Sequence, residues 1–214
     1  MPGNGKYFSY MPAIPYSTLD GGVNYKVVTD IFKRVRATLE AKTDKTIYYK
    51  YRVLEGQKPE HVAYNYYDNA NYHWTILLMN EIRDPQWCWP MNQSTFERYL
   101  IKKYGSVITA QNQTHHYETN EIKASSADDN YDVDDVILQA GIYVDSNFTY
   151  SYTPFNNGVP STKQEFASVV AVREVSALEY EIAENNKRSD IILLRRNLIQ
   201  EFVDSFDNLV TVRR

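Results

Sequence analysis

The sequence predicts an α+β protein: a small β-α-α-β core, an extended N-terminal arm before it, a β-rich middle segment after it, and a C-terminal helical region. Three observations carry this reading. Residues 46–56, "TIYYKYRVLEG", are rich in β-branched and aromatic side chains and stop at Gly56, as a strand ending in a tight turn does. The next thirty residues change period, with apolar positions three and four apart, the spacing that puts one face of a helix into a core. Prolines 2, 12 and 15 crowd the start among aromatic residues, which resists regular helix. The chain therefore divides into 1–45 (arm and short helix), 46–105 (core), 106–170 (β-rich segment with an acidic loop) and 171–214 (helix, strand, helix).

In chain order, Val28, Ile31, Phe32, Val35 and Leu39 recur at helical spacing with Lys33, Arg34 and Arg36 between them, which predicts a short amphipathic helix. After the strand, Pro59 suits a first helical position, where its missing amide hydrogen costs nothing, and Val62, Ala63 and Tyr66 follow on one face. "DNAN" punctuates, and "YHWTILLMN" resumes the helical pattern through Trp74, Leu77 and Leu78 to a stop at Asn80. Pro85 and Pro90 bracket Trp87 and Trp89 and break the pattern. Ser94 and Glu97 read as a capping box for a helix that Gly105 ends. "GIYVDSNFTYSY" alternates as a strand does, and "SSADDNYDVDD" reads as a solvated acidic loop. The last helix aligns Leu198, Phe202, Phe206 and Leu209 on one stripe, with Asn197 and Gln200 placed as a cap.

Composition narrows the function. With 214 residues the chain has ample length for a buried core, and its single cysteine, Cys88, excludes an internal disulfide framework. Lys and Arg number 23 against 27 Asp and Glu, and no long basic tract offers the phosphate-neutralising surface a nucleic-acid binder needs. The first residues lack a charged segment followed by an apolar one, and no uninterrupted apolar run could span a bilayer, which predicts a soluble chain made without a leader. Nineteen tyrosines stand out, because a large rigid face with a hydroxyl suits surfaces that are wet before assembly and covered after it.

Chemistry is hard to find. Neither G-x-S-x-G nor a glycine-rich phosphate loop occurs. His61 and His73 fall on separate helices, and adjacent His115 and His116 would point to opposite faces of a strand, so zinc is not expected. Asp128, Asn130 and Asp132 alternate like calcium ligands, yet Val133 replaces the turn glycine and Gln139 the bidentate glutamate. No carboxylate pair is singled out for glycoside hydrolysis. We expect no catalytic residue, no cofactor and no metal.

The stretch "YRVLEG", "PEHVAYNYY" and "NYHWTILLMN" resembles a LysM module, with first strand and turn, first helix and second helix ending in asparagine. Such a module implies a LysM-like core and a shallow groove for N-acetylglucosamine polymers; in this chain Lys58 stands where a hydroxyl would cap the first helix. A wider resemblance covers most of the chain and is weakest over 120–170. "YFSYMPAIPY", "VTDIFKRV", the stretch from Tyr51 to Pro90, "HHYE" and "EYEIAENNKRSDIILLRRNLIQEF" occur in the order seen in LysM-like baseplate wedge proteins of contractile-tailed phages, T-even types and their cyanophage relatives. That resemblance implies a non-enzymatic virion protein of the tail baseplate. It would bind the helical core bundle of the larger wedge subunits beside the sheath initiator, meet neighbouring wedges, and help wedges join into a ring around the hub. A peptidoglycan- or chitin-binding LysM protein and a tail-associated glycan hydrolase remain as alternatives. The side chains expected to meet partners are Phe8, Tyr10 and Tyr16 in the arm, Trp87 and Trp89 between the prolines, and Phe202 and Phe206 in the last helix.

Overall fold

The computed structural model describes residues 6–17, 24–33, 35–36, 44–125 and 127–211. It contains both helices and strands, arranged in two units: residues 1–93 with 185–214, and the intervening 94–184. The second unit is thus inserted into the chain of the first.

The first unit begins with a single 3-10 turn at Tyr7–Ser9 and a hairpin, Ala13–Tyr16 (β1) against Lys26–Thr29 (β2), in which Ile14 faces Val28 and Pro15 faces Val27. The helix expected from Val28 is replaced here by a strand and then a turn. β-Branched Val27, Val28 and Thr29 fit an extended ladder better than a helix, and Asp30 Oδ1 accepts the Phe32 amide at 3.1 Å to turn the chain. Arg34 and Leu39 of the expected helix lie outside the described residues.

Tyr48–Arg52 (β3) is the expected strand, and Gly56 takes a left-handed φ of 76° to end it. Gln57 organises the turn: its Oε1 accepts from Tyr51 OH and the Leu54 amide, both at 3.0 Å, and its carbonyl accepts from Trp89 Nε1 at 2.6 Å. Pro59–Tyr67 (α1) starts on its proline, and in place of a hydroxyl cap His61 Nδ1 accepts the Lys58 amide at 3.4 Å. His73–Met79 (α2) ends at Asn80 as read from the sequence, and Pro85–Cys88 (α3) follows, capped by Asp84.

The inserted unit opens with Gln93–Tyr104 (α4), so Ser94 lies inside the helix rather than at its cap, while Gly105 terminates it at φ 87°. Val107–Asn112 (α5) is a helix at the start of the segment read as β-rich, because Ser106 Oγ accepts the Thr109 amide at 3.0 Å and nucleates the turn. The β-rich character then appears: Thr114–Thr119 (β4), Ile122–Lys123 (β5), Val136–Leu138 (β6), Tyr143–Val144 (β7), Tyr150–Tyr152 (β8), Phe155–Asn156 (β9), Val159–Pro160 (β10) and Gln164–Phe166 (β11). After Ser168–Ala171 (α6) and Val172–Ser176 (β12), the order β12-β4-β7 forms a three-stranded antiparallel sheet; β5 with β6, β8 with β11 and β9 with β10 form separate pairs. The acidic loop is exposed, yet two of its carboxylates build structure. Asp129 accepts the amides of Asn157 and Gly158 at the β9–β10 turn, and Asp128 accepts the amides of Asn130 and Tyr131 and the hydroxyl of Tyr152.

Ala177–Ser189 (α7) carries the chain back to the first unit, where Asp190–Leu194 (β13) pairs antiparallel with β3, Ile191 opposite Tyr51 and Leu193 opposite Tyr49. The partner of β3 therefore comes from beyond residue 105. β3, α1, α2 and β13 enclose Val53, Val62, Ala63, Tyr67, Ile76, Trp89, Ile191 and Leu193. Asn185 staples the return, its Oδ1 accepting the Met91 amide at 2.8 Å and its Nδ2 donating to the Met91 carbonyl at 3.1 Å. Ile199–Thr211 (α8) ends the fold. Its buried stripe is Val203, Phe206 and Val210, one residue round from the expected one, so Leu209 is exposed and Phe202 half-buried. Asn197 sits in a 3-10 turn before the helix, and Gln200 donates to Asp204 rather than acting as a cap.

Candidate functional site

The arm and the last helix meet over Trp74 of α2. Tyr10 and Met11 pack with Trp74, Val203, Phe206 and Val210, and Tyr7, Val35 and Phe202 close the edge. The Trp74 and Phe206 rings are 4.6 Å apart, Tyr7 lies 5.4 Å from Phe206, and Tyr10 meets Phe206 edge-on at 6.0 Å, separations at which aromatic quadrupoles attract. Lys33 Nζ donates to the Val210 carbonyl, tying the segment after the hairpin to the helix end.

The seven side chains expected to meet partners thus divide. Tyr10 and Phe206 are covered by each other and by Trp74, with Phe206 only 2% exposed; Trp89 is buried over the turn at Gln57. The chain itself already covers these three. Phe202 is half-covered, while Phe8, Tyr16 and Trp87 are exposed.

Sequence reading missed an exposed apolar surface. On the β1–β2 hairpin and its following turn, Val27 is 78% exposed and Phe32 80%, and Tyr25, Val28 and Ile31 are exposed beside them. The run of β-branched residues Val27, Val28 and Thr29 was the available signal. A two-stranded hairpin is marginal in water by itself, so this one leaves apolar area that a partner could cover.

In the inserted unit, sequence gave no sign of Glu181, whose side chain is 4% exposed. Its carboxylate accepts from Lys103 Nζ, from Tyr104 OH at 2.8 Å and from Tyr99 OH at 3.1 Å. Burial by itself would raise its pKa, but the hydrogen bonds from Lys103 and Tyr104 outweigh this and hold the carboxyl below its ordinary range. A carboxyl whose folded pKa is depressed stabilises the fold above its unfolded value, about 4.3, and that contribution fades as pH falls through the lower folded value. Acid unfolding of the chain should therefore shift to higher pH in Glu181→Gln, with stability at neutral pH reduced by about 2 kcal/mol, since a charge-assisted hydrogen bond contributes about 1.5–3 kcal/mol. Urea titrations at pH 7 and pH 3.5 check this: the difference between wild type and variant should shrink at the lower pH.

The two adjacent histidines also depart from expectation. β4 has a register break, with Val175 opposite His116 but Ser176 opposite Thr114, so His115 is the extra residue of a bulge. The alternation is lost and both imidazoles turn to one side, Nδ1 to Nδ1 at 2.8 Å. Among the described residues no group of three or more His, Cys, Asp and Glu is arranged around a common point, and no helix is long and apolar enough to cross a membrane. A shallow surface depression of about 550 Å³ lies over Lys50, Arg52, Asp190 and Ile192 on the β3–β13 pair.

Comparison with known proteins gives this surface a context. Residues 8–209 match the family described as base plate wedge protein 53. Over 96 residues the chain is 31% identical to the baseplate wedge protein gp53 of Enterobacteria phage T4, a stretch that covers 45% of this chain and 43% of that one. The match spans less than half of the T4 protein. With the family match running from the arm to the last helix, the chain belongs to the base plate wedge protein 53 family.

Proposed function

We propose that the chain is a connector within the wedge, binding other wedge subunits through the exposed hairpin and the side chains beside it and so helping wedges join into the ring around the hub. The helical core bundle subunits, the sheath initiator and neighbouring wedges are the partners in this reading. The observation that supports it is the run of exposed Tyr25, Val27, Val28, Ile31 and Phe32 on a hairpin that its own unit leaves uncovered. Phe8, Tyr16 and Trp87 add exposed ring area. Covering apolar surface stabilises a contact by about 25 cal/mol per Å², against the cost of association and of ordering side chains, so permanent assemblies use broad apolar faces. Glycan binding and glycan hydrolysis draw no support from the family.

The test is the double variant Ile31→Asp, Phe32→Asp. Both side chains are exposed, so folded stability should stay within about 0.5 kcal/mol of wild type. Incorporation into wedges, read by co-sedimentation with the other wedge subunits, should fall at least about tenfold, the equivalent of about 1.4 kcal/mol. Incorporation at the wild-type yield would remove the hairpin from the interface.

A further inference from the structure

The bulge in β4 sets two imidazole nitrogens side by side. His115 Nδ1 and His116 Nδ1 are 2.8 Å apart, a distance at which the pair has room for one proton between them. A second contact decides which nitrogen is bare. His116 Nε2 lies 2.9 Å from Glu118 Oε1, and because an ionised carboxylate only accepts, that nitrogen carries the proton and His116 Nδ1 is left bare. Arg173 Nη2 donates to the other oxygen of Glu118 at 3.1 Å and fixes the carboxylate. Each ring is also gripped face-on: His115 stacks on Tyr180 at 3.8 Å and 9°, His116 on Tyr143 at 4.3 Å and 22°.

We propose that His115 and His116 bind a divalent late first-row transition ion through their two Nδ1 atoms, with copper(II) or nickel(II) preferred to zinc. The spacing selects the ion. Imidazole nitrogen binds such metals at about 2.0–2.1 Å, and two nitrogens 2.8 Å apart at that radius subtend an angle near 90°, the cis angle of a tetragonal site. A tetrahedral zinc would need them spread to about 3.3 Å, against both stacks. On binding, the ion takes the place of the proton on His115 Nδ1, and His115 moves to the Nε2–H tautomer that His116 already has. Glu118 then holds the His116 ring from behind and raises its basicity, the usual task of a carboxylate behind a metal-bound histidine. Water fills the remaining positions.

The experiment uses the full chain, without a histidine tag and stripped of metal, titrated calorimetrically with copper(II), nickel(II) and zinc(II) in turn, with electron paramagnetic resonance of the copper form. One equivalent should bind, in the order copper, nickel, zinc, and the copper spectrum should show two imidazole nitrogens. His115→Ala, at an exposed position that leaves the fold intact by circular dichroism, should abolish the site, as should His116→Ala. Glu118→Gln should weaken it about 10–100-fold, and His61→Ala and His73→Ala should leave it unchanged. Undiminished copper binding by folded H115A, a zinc-first order, or no stoichiometric binding would each overturn the assignment.

Discussion

Asn80→Ala is expected to lower the unfolding temperature of the chain by about 10 °C, the shift that a loss of about 3 kcal/mol produces in a unit of this size. The Asn80 amide does the work of a neighbouring strand for one residue of β13. Its Oδ1 accepts the Ile192 amide and its Nδ2 donates to the Ile192 carbonyl, both at 2.8 Å, while Nδ2 also donates to the Ile76 carbonyl at 2.8 Å. Ile192 sits opposite Lys50, and β13 has no second strand among the described residues, so without Asn80 these partly buried backbone groups lose their partners. Each abandoned donor or acceptor costs about 1–3 kcal/mol, which is where the size of the effect comes from. Asn80→Asp should be at least as damaging, because it keeps the acceptor but sets a charge against two carbonyls. Thermal scans by circular dichroism decide the matter; a shift below about 2 °C in Asn80→Ala would mean that water replaces the amide without loss.

Phe206→Ala should cost about 3–5 kcal/mol, the range for emptying a buried aromatic site, and deleting residues 1–12 should have an effect of the same order. Both act on one cluster. Phe206 touches Trp74, Tyr7 and Tyr10, and the deletion removes Tyr7, Tyr10 and Met11 from over Trp74. If the arm served only to meet partners, its loss would leave the fold unchanged. The packing instead predicts a lower urea midpoint in both variants, with Trp74 fluorescence shifted to the red and faster proteolysis of α8. A truncated chain with the wild-type midpoint would return the arm wholly to the partner interface.

Local signals account for the parts of the fold that were legible. A proline at a first helical position set the start of α1, asparagine and glycine set the ends of α2 and α4, and a tyrosine-rich run set β3. These depend on a residue's own backbone preferences and on neighbours within one turn. Where two local patterns overlapped, the reading went astray: Val28, Ile31, Phe32 and Val35 satisfy helical spacing, but Val27 and Val28 sit in the ladder with Ile14 and Pro15. Pairing supplied the hydrogen bonds that decided between them.

The candidate surface was less legible than the fold, because periodicity tells which residues are apolar and not which are covered. Tyr10, Trp89 and Phe206 carry the same aromatic signature as Phe8, Trp87 and Phe202, and only packing separates the first three from the rest. The His115–His116 pair depends on a single extra residue in β4, a register choice made by the facing strand β12.

By itself, then, the amino-acid order determined the class of fold, the bounds of most elements of the core and the excess of rings available for contact, all of which follow from propensity and short-range spacing. The tertiary structure alone decided that β3 finds its partner in β13, across the whole inserted unit, and which rings remain at the surface. Those outcomes depend on contacts between residues far apart in the chain, where the entropy of closing a long loop is offset only by the full set of buried groups acting together.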